Sequence, residues 1–136
     1  MRAVPILLAL VSSLAAAVPA VAQSSDPPVK TLKVTVLSTM LVGNAREGVG
    51  EWGFAAVLEV DGQRWLIDTG ARAETVLRNA AELKVDLSTI TDLVITHNHD
   101  DHTGGLLVLR REMAKKNPNA LSRAHAQPCQ RGLRGR

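Results

Sequence analysis

Thr96-His97-Asn98-His99-Asp100-Asp101-His102-Thr103-Gly104-Gly105 follows directly on the apolar run Leu93-Val94-Ile95. Three imidazoles and two carboxylates stand within six residues, from His97 to His102. The run before them is short, continuous and apolar, as in a strand buried on both faces. In an extended segment, side chains two apart point the same way, so His97 and His99 can face the same side. Asp101 and His102 come on the following turn and can reach a second position. Neutral imidazole nitrogen and carboxylate oxygen are the donors that zinc accepts in open catalytic sites, and the carboxylate also suits manganese or iron. A solvated polar loop, or one histidine capping a helix from Leu106 with Asp101 favoured by its dipole, is the bland reading. It accounts for single residues here but not for their density.

Upstream, Leu66-Ile67-Asp68-Thr69-Gly70 ends another apolar strand in a carboxylate and a glycine. A lone aspartate there is more often a turn or cap residue. That strand, Gln63 to Ile67, is separated from the run Phe54 to Val60 only by Asp61-Gly62, a strong hairpin signal. Earlier still, Leu32, Val34 and Val36 alternate with Lys33 and Thr35, which predicts a strand with one face buried. Between Gly70 and the metal-ligand loop, Ala73 to Lys84 predicts a helix with Val76, Leu77, Ala80, Ala81 and Leu83 as its apolar stripe. Downstream, a second helix is expected from Leu106 to about Asn117, ended by Asn117-Pro118-Asn119. The order of strand, hairpin, helix, strand, metal loop and helix describes an α/β layered domain with its chemistry at a strand's end.

The 136 residues suit one domain, and 46% hydrophobic against 21% charged residues is globular composition. The net charge of +3 hides an asymmetry: residues 23–109 carry 7 Lys/Arg against 12 Asp/Glu, and residues 110–136 carry 8 against 1. That basic end lacks aromatic residues for stacking, because Phe54, Trp52 and Trp65 all lie in the body, so no nucleic-acid partner is expected. Cys129 is the single cysteine and cannot form an internal disulfide. Met1-Arg2, the apolar run Ala3 to Val11 and Ala20-Val21-Ala22 form a secretory pattern. Residues 1–22 are therefore expected to be a cleaved signal peptide, leaving no stable membrane anchor and a periplasmic or secreted product. Residues 23–30, polar and proline-bearing, are expected to be a linker, with the folded body running from 31 to 126.

The loop Thr96 to Gly105 resembles the signature loop of the metallo-β-lactamase superfamily, and Leu66-Ile67-Asp68-Thr69-Gly70 resembles that family's preceding strand-end motif. More narrowly, Glu51-Trp52-Gly53-Phe54 together with Asp68 to Leu106 is similar to a branch often labelled dihydropterin-aminobenzene-phosphate synthase-like. The resemblance implies that His97 and His99 hold one metal and that Asp101 and His102 serve the second. It places Asp68 behind them, hydrogen-bonded to the ligands. It further implies one or two zinc ions, with manganese or iron as alternatives, and a metal-activated water oriented by Asp101 for attack on a carbonyl or phosphoryl centre of a small molecule.

A complete member of that superfamily supplies a further histidine, a bridging aspartate and a last histidine from its second half. Here His125 is the only histidine after His102, and no aspartate follows Asp101. The expected fold is accordingly α/β, the first half of an αββα sandwich, truncated, with a disordered basic C-terminal tail over 127–136. Gln127 to Arg136 has no apolar periodicity and reads like an out-of-frame end, with Ala120 to His125 beginning the next strand of the parent fold. An uncovered sheet would favour self-association. The leading expectation is an exported metallo-hydrolase of reduced or no activity. The alternatives are a non-catalytic metal-binding or interaction module and, last, a small membrane-anchored protein.

Overall fold

The computed structural model describes residues 27–42 and 47–126. The expected signal peptide, the first half of the linker and the basic tail lie outside the described residues. Among the described residues no helix is long and apolar enough to cross a membrane.

The chain forms a mixed five-stranded sheet in sequential order, β1 (Leu32–Ser38), β2 (Ala55–Val60), β3 (Gln63–Ile67), β4 (Asp92–Ile95) and β5 (Arg123–Ala126). The first three strands run antiparallel, and β3, β4 and β5 are parallel neighbours. Asp61 and Gly62 turn the β2–β3 hairpin with φ of 48° and 85°, the positive pair that a tight right-twisted hairpin requires. Parallel strands need long crossovers. These are α1 (Ala73–Glu82) between β3 and β4, and the short α2 (Asp100–Thr103) with α3 (Leu106–Ala114) between β4 and β5.

One face of the sheet is closed by the helices. Val57, Leu66 and Leu93 stand in register on β2, β3 and β4 and join Val76, Leu109 and Met113 in one core. The other face carries Leu32, Val34 and Val36, exposed by 65%, 56% and 43%. This corrects the expectation that their alternation marked a buried face. Alternation separates the two faces of a strand but does not name the covered one, and α1 packs on the side of Thr35 and Leu37. A register shift between Val36 and Ser38 turns both Leu37 and Ser38 inward, as a bulge does when it re-aims a strand end.

Helix α1 stops two residues short of the expected Lys84. Lys84 itself adopts φ 56°, and the Lys84 and Val85 N–H groups donate back to the Ala81 and Ala80 carbonyls, the paired bonds of a Schellman end. A lysine in the place usually taken by glycine gives no compositional stop signal. Its buried side is Ala73, Thr75, Val76 and Ala80, while Ala81 and Leu83 face outward. Helix α3 likewise ends at Ala114, with Asn117 still bonded to the Met113 carbonyl.

The sidedness of the sheet is testable by substitution. Leu66→Ala, at 0% exposure, should destabilise by about 2–5 kcal/mol, whereas Val34→Thr should stay within about 0.5 kcal/mol in denaturant unfolding. Equal losses would contradict the assignment of faces. At the β4–β5 edge, the Arg123 guanidinium and then the Thr91 hydroxyl hold the Asp92 carboxyl down at about 2, against 3.8 ordinarily. A depressed folded pKa stabilises above the unfolded value and loses that contribution as pH falls. Amide-exchange protection of β5 should therefore fall between pH 3.8 and about 2, and this acid step should be absent in Asp92→Asn.

Candidate metal centre

The site lies beyond the carboxyl ends of the parallel pair β3 and β4, where an α/β sheet presents its loops. Strand β3 delivers Asp68, fully buried and at φ 53°. Left-handed backbone is uncommon outside glycine and tolerated best by Asn and Asp; where it occurs it tends to mark functional positions. The turn is held by the Asp68 N–H donating to the Val94 carbonyl at 2.8 Å.

The Asp68 carboxylate accepts three hydrogen bonds. Oδ1 takes the Thr96 N–H at 2.8 Å, and Oδ2 takes the Thr96 hydroxyl at 2.6 Å and His102 Nδ1 at 2.7 Å. A carboxylate only accepts, so Nδ1 of His102 carries the proton and Nε2 keeps its lone pair. The same argument extends one residue further. The Thr96 hydroxyl spends its single proton on Asp68, so its oxygen is left to accept from His97 Nδ1, 3.1 Å away. One buried carboxylate thus sets both imidazoles to the tautomer whose Nε2 can bind a metal.

Ligand atoms of His97, Asp101 and His102 lie within 4.8 Å of one another, and His102 Nε2 is 3.6 Å from Asp101 Oδ2. Two imidazoles and a carboxylate, with their second nitrogens already engaged, fit a divalent metal ion. The grouping differs from the pairs implied by the sequence resemblance. His97 sits with Asp101 and His102, its ring 4.0 Å from that of His102, while His99 meets His97 edge-on at 4.6 Å and stands outside the cluster. His125 stands outside this cluster: it lies on β5 beside Val94, with Nε2 at 3.3 Å from Asp92.

The loop is seated by its backbone. Thr69 donates both its N–H and its hydroxyl to the His102 carbonyl, at 2.8 and 2.9 Å. Phe54 N–H donates to the Asp101 carbonyl at 3.1 Å, and Gly105 N–H to the Gly70 carbonyl at 3.1 Å. Gly105 presses against the Thr69 carbonyl so closely that any Cβ would collide with it. Spacing in the sequence pointed to the ligands. The seat made of Phe54, Thr69 and Gly70 falls within the two other quoted motifs, but its main-chain bonds to the loop leave no mark in the residue pattern.

Asp68→Asn and Thr96→Val separate the two branches of this network. Loss of an oriented carboxylate behind a metal ligand weakens binding by about 10–100-fold. Asp68→Asn should weaken zinc by that range in a chelator competition, and Thr96→Val should weaken it less because only His97 is released. Unchanged affinity in Asp68→Asn would contradict the network.

The sequence profile described as Anti-Pycsar protein Apyc1 matches residues 37–124. A curated relative, 7,8-dihydropterin-6-methyl-4-(β-D-ribofuranosyl)-aminobenzene-5′-phosphate synthase of Methanocaldococcus jannaschii, is 31% identical over 94 residues, covering 66% of this chain and 32% of its own length. The chain thus spans about a third of that relative. Among solved structures, a metal-dependent hydrolase of the β-lactamase superfamily is similar at 27% identity and a TM-score of 0.48, over 71% of this chain and 41% of the other. A diphosphatase from the PhnP family is similar at 17% identity and a TM-score of 0.43, over 71% and 50%. With its profile match spanning the β1 end, the hairpin, the metal loop and the start of β5, the chain belongs to the Anti-Pycsar protein Apyc1 family.

Proposed function

We propose that the chain carries the N-terminal metal half-site of an exported zinc-dependent hydrolase acting on an ester, phosphoester or related bond of a small molecule. The observation that supports this most is the Asp68 hub, which leaves Nε2 of both His97 and His102 free beside the Asp101 carboxylate. His97, Asp101 and His102 would hold zinc, with His99 turning in from its edge-on position beside His97. Bound there, zinc would supply a Lewis acid and lower the pKa of water from 15.7 toward about 7. Asp101, half-buried and on the one-turn helix α2, is placed to accept a proton from the attacking water and to orient it. A phosphoester stands first among substrates because the curated relative, a synthase, is named for a compound that carries a 5′-phosphate.

A second reading, a non-catalytic metal-binding module, is supported by a different observation. The apolar face of β1 is uncovered, and under this reading it engages a second copy of the chain. The two readings diverge in turnover. Under the first, the zinc-loaded chain hydrolyses a chromogenic phosphodiester, and His97→Ala with His99→Ala reduces the rate to background. Zinc binding without turnover, together with concentration-dependent association in sedimentation, would favour the second. Turnover that survived both substitutions would overturn the first.

A further inference from the structure

We propose that Glu51 is a positioning residue for the metal loop, acting through backbone on both sides of it; this rests on the reading that the loop binds zinc. Glu51 lies in the connection between β1 and β2, far in sequence from the histidines, and its half-buried carboxylate gathers donors from three elements. Oε1 accepts the Ser38 hydroxyl at 2.8 Å, the Ala71 N–H at 3.1 Å and the Arg72 N–H at 3.4 Å. Oε2 accepts the Thr75 hydroxyl at 3.0 Å.

Each partner bears on the loop. Arg72, at the N-cap of α1, makes no side-chain cap bond of its own; Glu51 accepts the N-cap N–H, as the glutamate of a capping box does, and sets a negative charge at the positive helix end. This fixes Gly70 to Arg72, the segment against which the metal loop lies. The Gly70 carbonyl receives the Gly105 N–H, and Gly104 abuts the Ala71 carbonyl with no room for a Cβ. Gly70 has φ 69°, and a Cβ there would come within 2.6 Å of Glu51 Oε1, so the close approach of carboxylate and backbone needs glycine. On the other side, Glu51 N–H donates to the Thr39 carbonyl, and Phe54, three residues on, holds the Asp101 carbonyl. The bulge at the end of β1 turns Ser38 inward to meet the carboxylate. Asn79 secures the same connection from α1, accepting from Val49 N–H and donating to the Val49 and Leu37 carbonyls. Glu51 therefore joins the bed under Gly104 and Gly105 to the strap over Asp101.

The test compares zinc affinity, by chelator competition, with thermal unfolding of the metal-free chain, in Glu51→Ala, Glu51→Asp and Glu51→Gln. Glu51→Ala and Glu51→Asp should weaken zinc by about 10–100-fold in chain that circular dichroism shows to be folded. Glu51→Gln keeps the length and one strong acceptor, and Thr75 Oγ can accept from the new amide, so affinity should return to within about threefold. A purely structural glutamate would lower the unfolding temperature in Glu51→Ala while leaving zinc affinity of the folded chain unchanged, and that result overturns the proposal. Should Glu51→Ala fail to fold, the double variant Ser38→Ala with Thr75→Ala carries the test: several-fold weaker zinc is expected, and wild-type affinity overturns it. Absence of zinc binding in the parent chain would instead refute the function proposed for the loop.

Discussion

A fully buried carboxylate must find partners, and Asp68 finds all of its partners in the loop that carries the metal ligands. Hydrogen bonds to a charged group contribute about 1.5–3 kcal/mol each, and an unpaired buried charge costs several times the neutral penalty. The left-handed backbone at Asp68 is therefore stabilised by the same bonds that orient His97 and His102. Strand order explains why this is achievable. Because β3 and β4 are parallel neighbours, their carboxyl ends emerge together: Ile67 pairs with Val94, so Asp68 comes level with Ile95 and its carboxylate reaches Thr96.

Around that hub, glycines serve contact more than flexibility. Gly105 lets the chain lie on the Thr69 carbonyl, and the Thr69 N–H and hydroxyl then close on the His102 carbonyl. The loop is gripped through main-chain groups of Asp101, His102 and Gly105, leaving the side chains of His97, Asp101 and His102 free to converge. The helix-covered face of the sheet supplies rigidity beneath this arrangement. Leu66 and Leu93, paired in register and inaccessible to solvent, anchor the two strands whose ends form the site.

The parts of the fold legible in the sequence were those written in local chemistry. Asp61-Gly62 specified its hairpin because few residue pairs tolerate two positive φ angles, and Gln63 to Ile67 appears as a strand with the bounds read from its composition. The density of His and Asp after Ile95 pointed to a metal site, and the resemblance it carried led to the family. What stayed hidden depends on long-range packing. The alternation of Leu32, Val34 and Val36 could not say which face of β1 would be covered, and the end of α1 at Glu82 follows from left-handed backbone and bonds at Lys84 that lysine does not advertise. The convergence of Ser38, Glu51 and Thr75 joins positions up to 37 residues apart through a bulge and a helix end, neither of which has a periodic signature.

The central claim is that Asp68 fixes the tautomers of two histidines and so prepares a metal site. It is tested most directly by long-range proton–nitrogen NMR correlation of the imidazoles during a zinc titration. The account predicts that His97 and His102 are Nδ1-protonated from the outset and that zinc perturbs only their Nε2 resonances. Nδ1 coordination at His102, or an Nε2-protonated ring there before zinc is added, would contradict it.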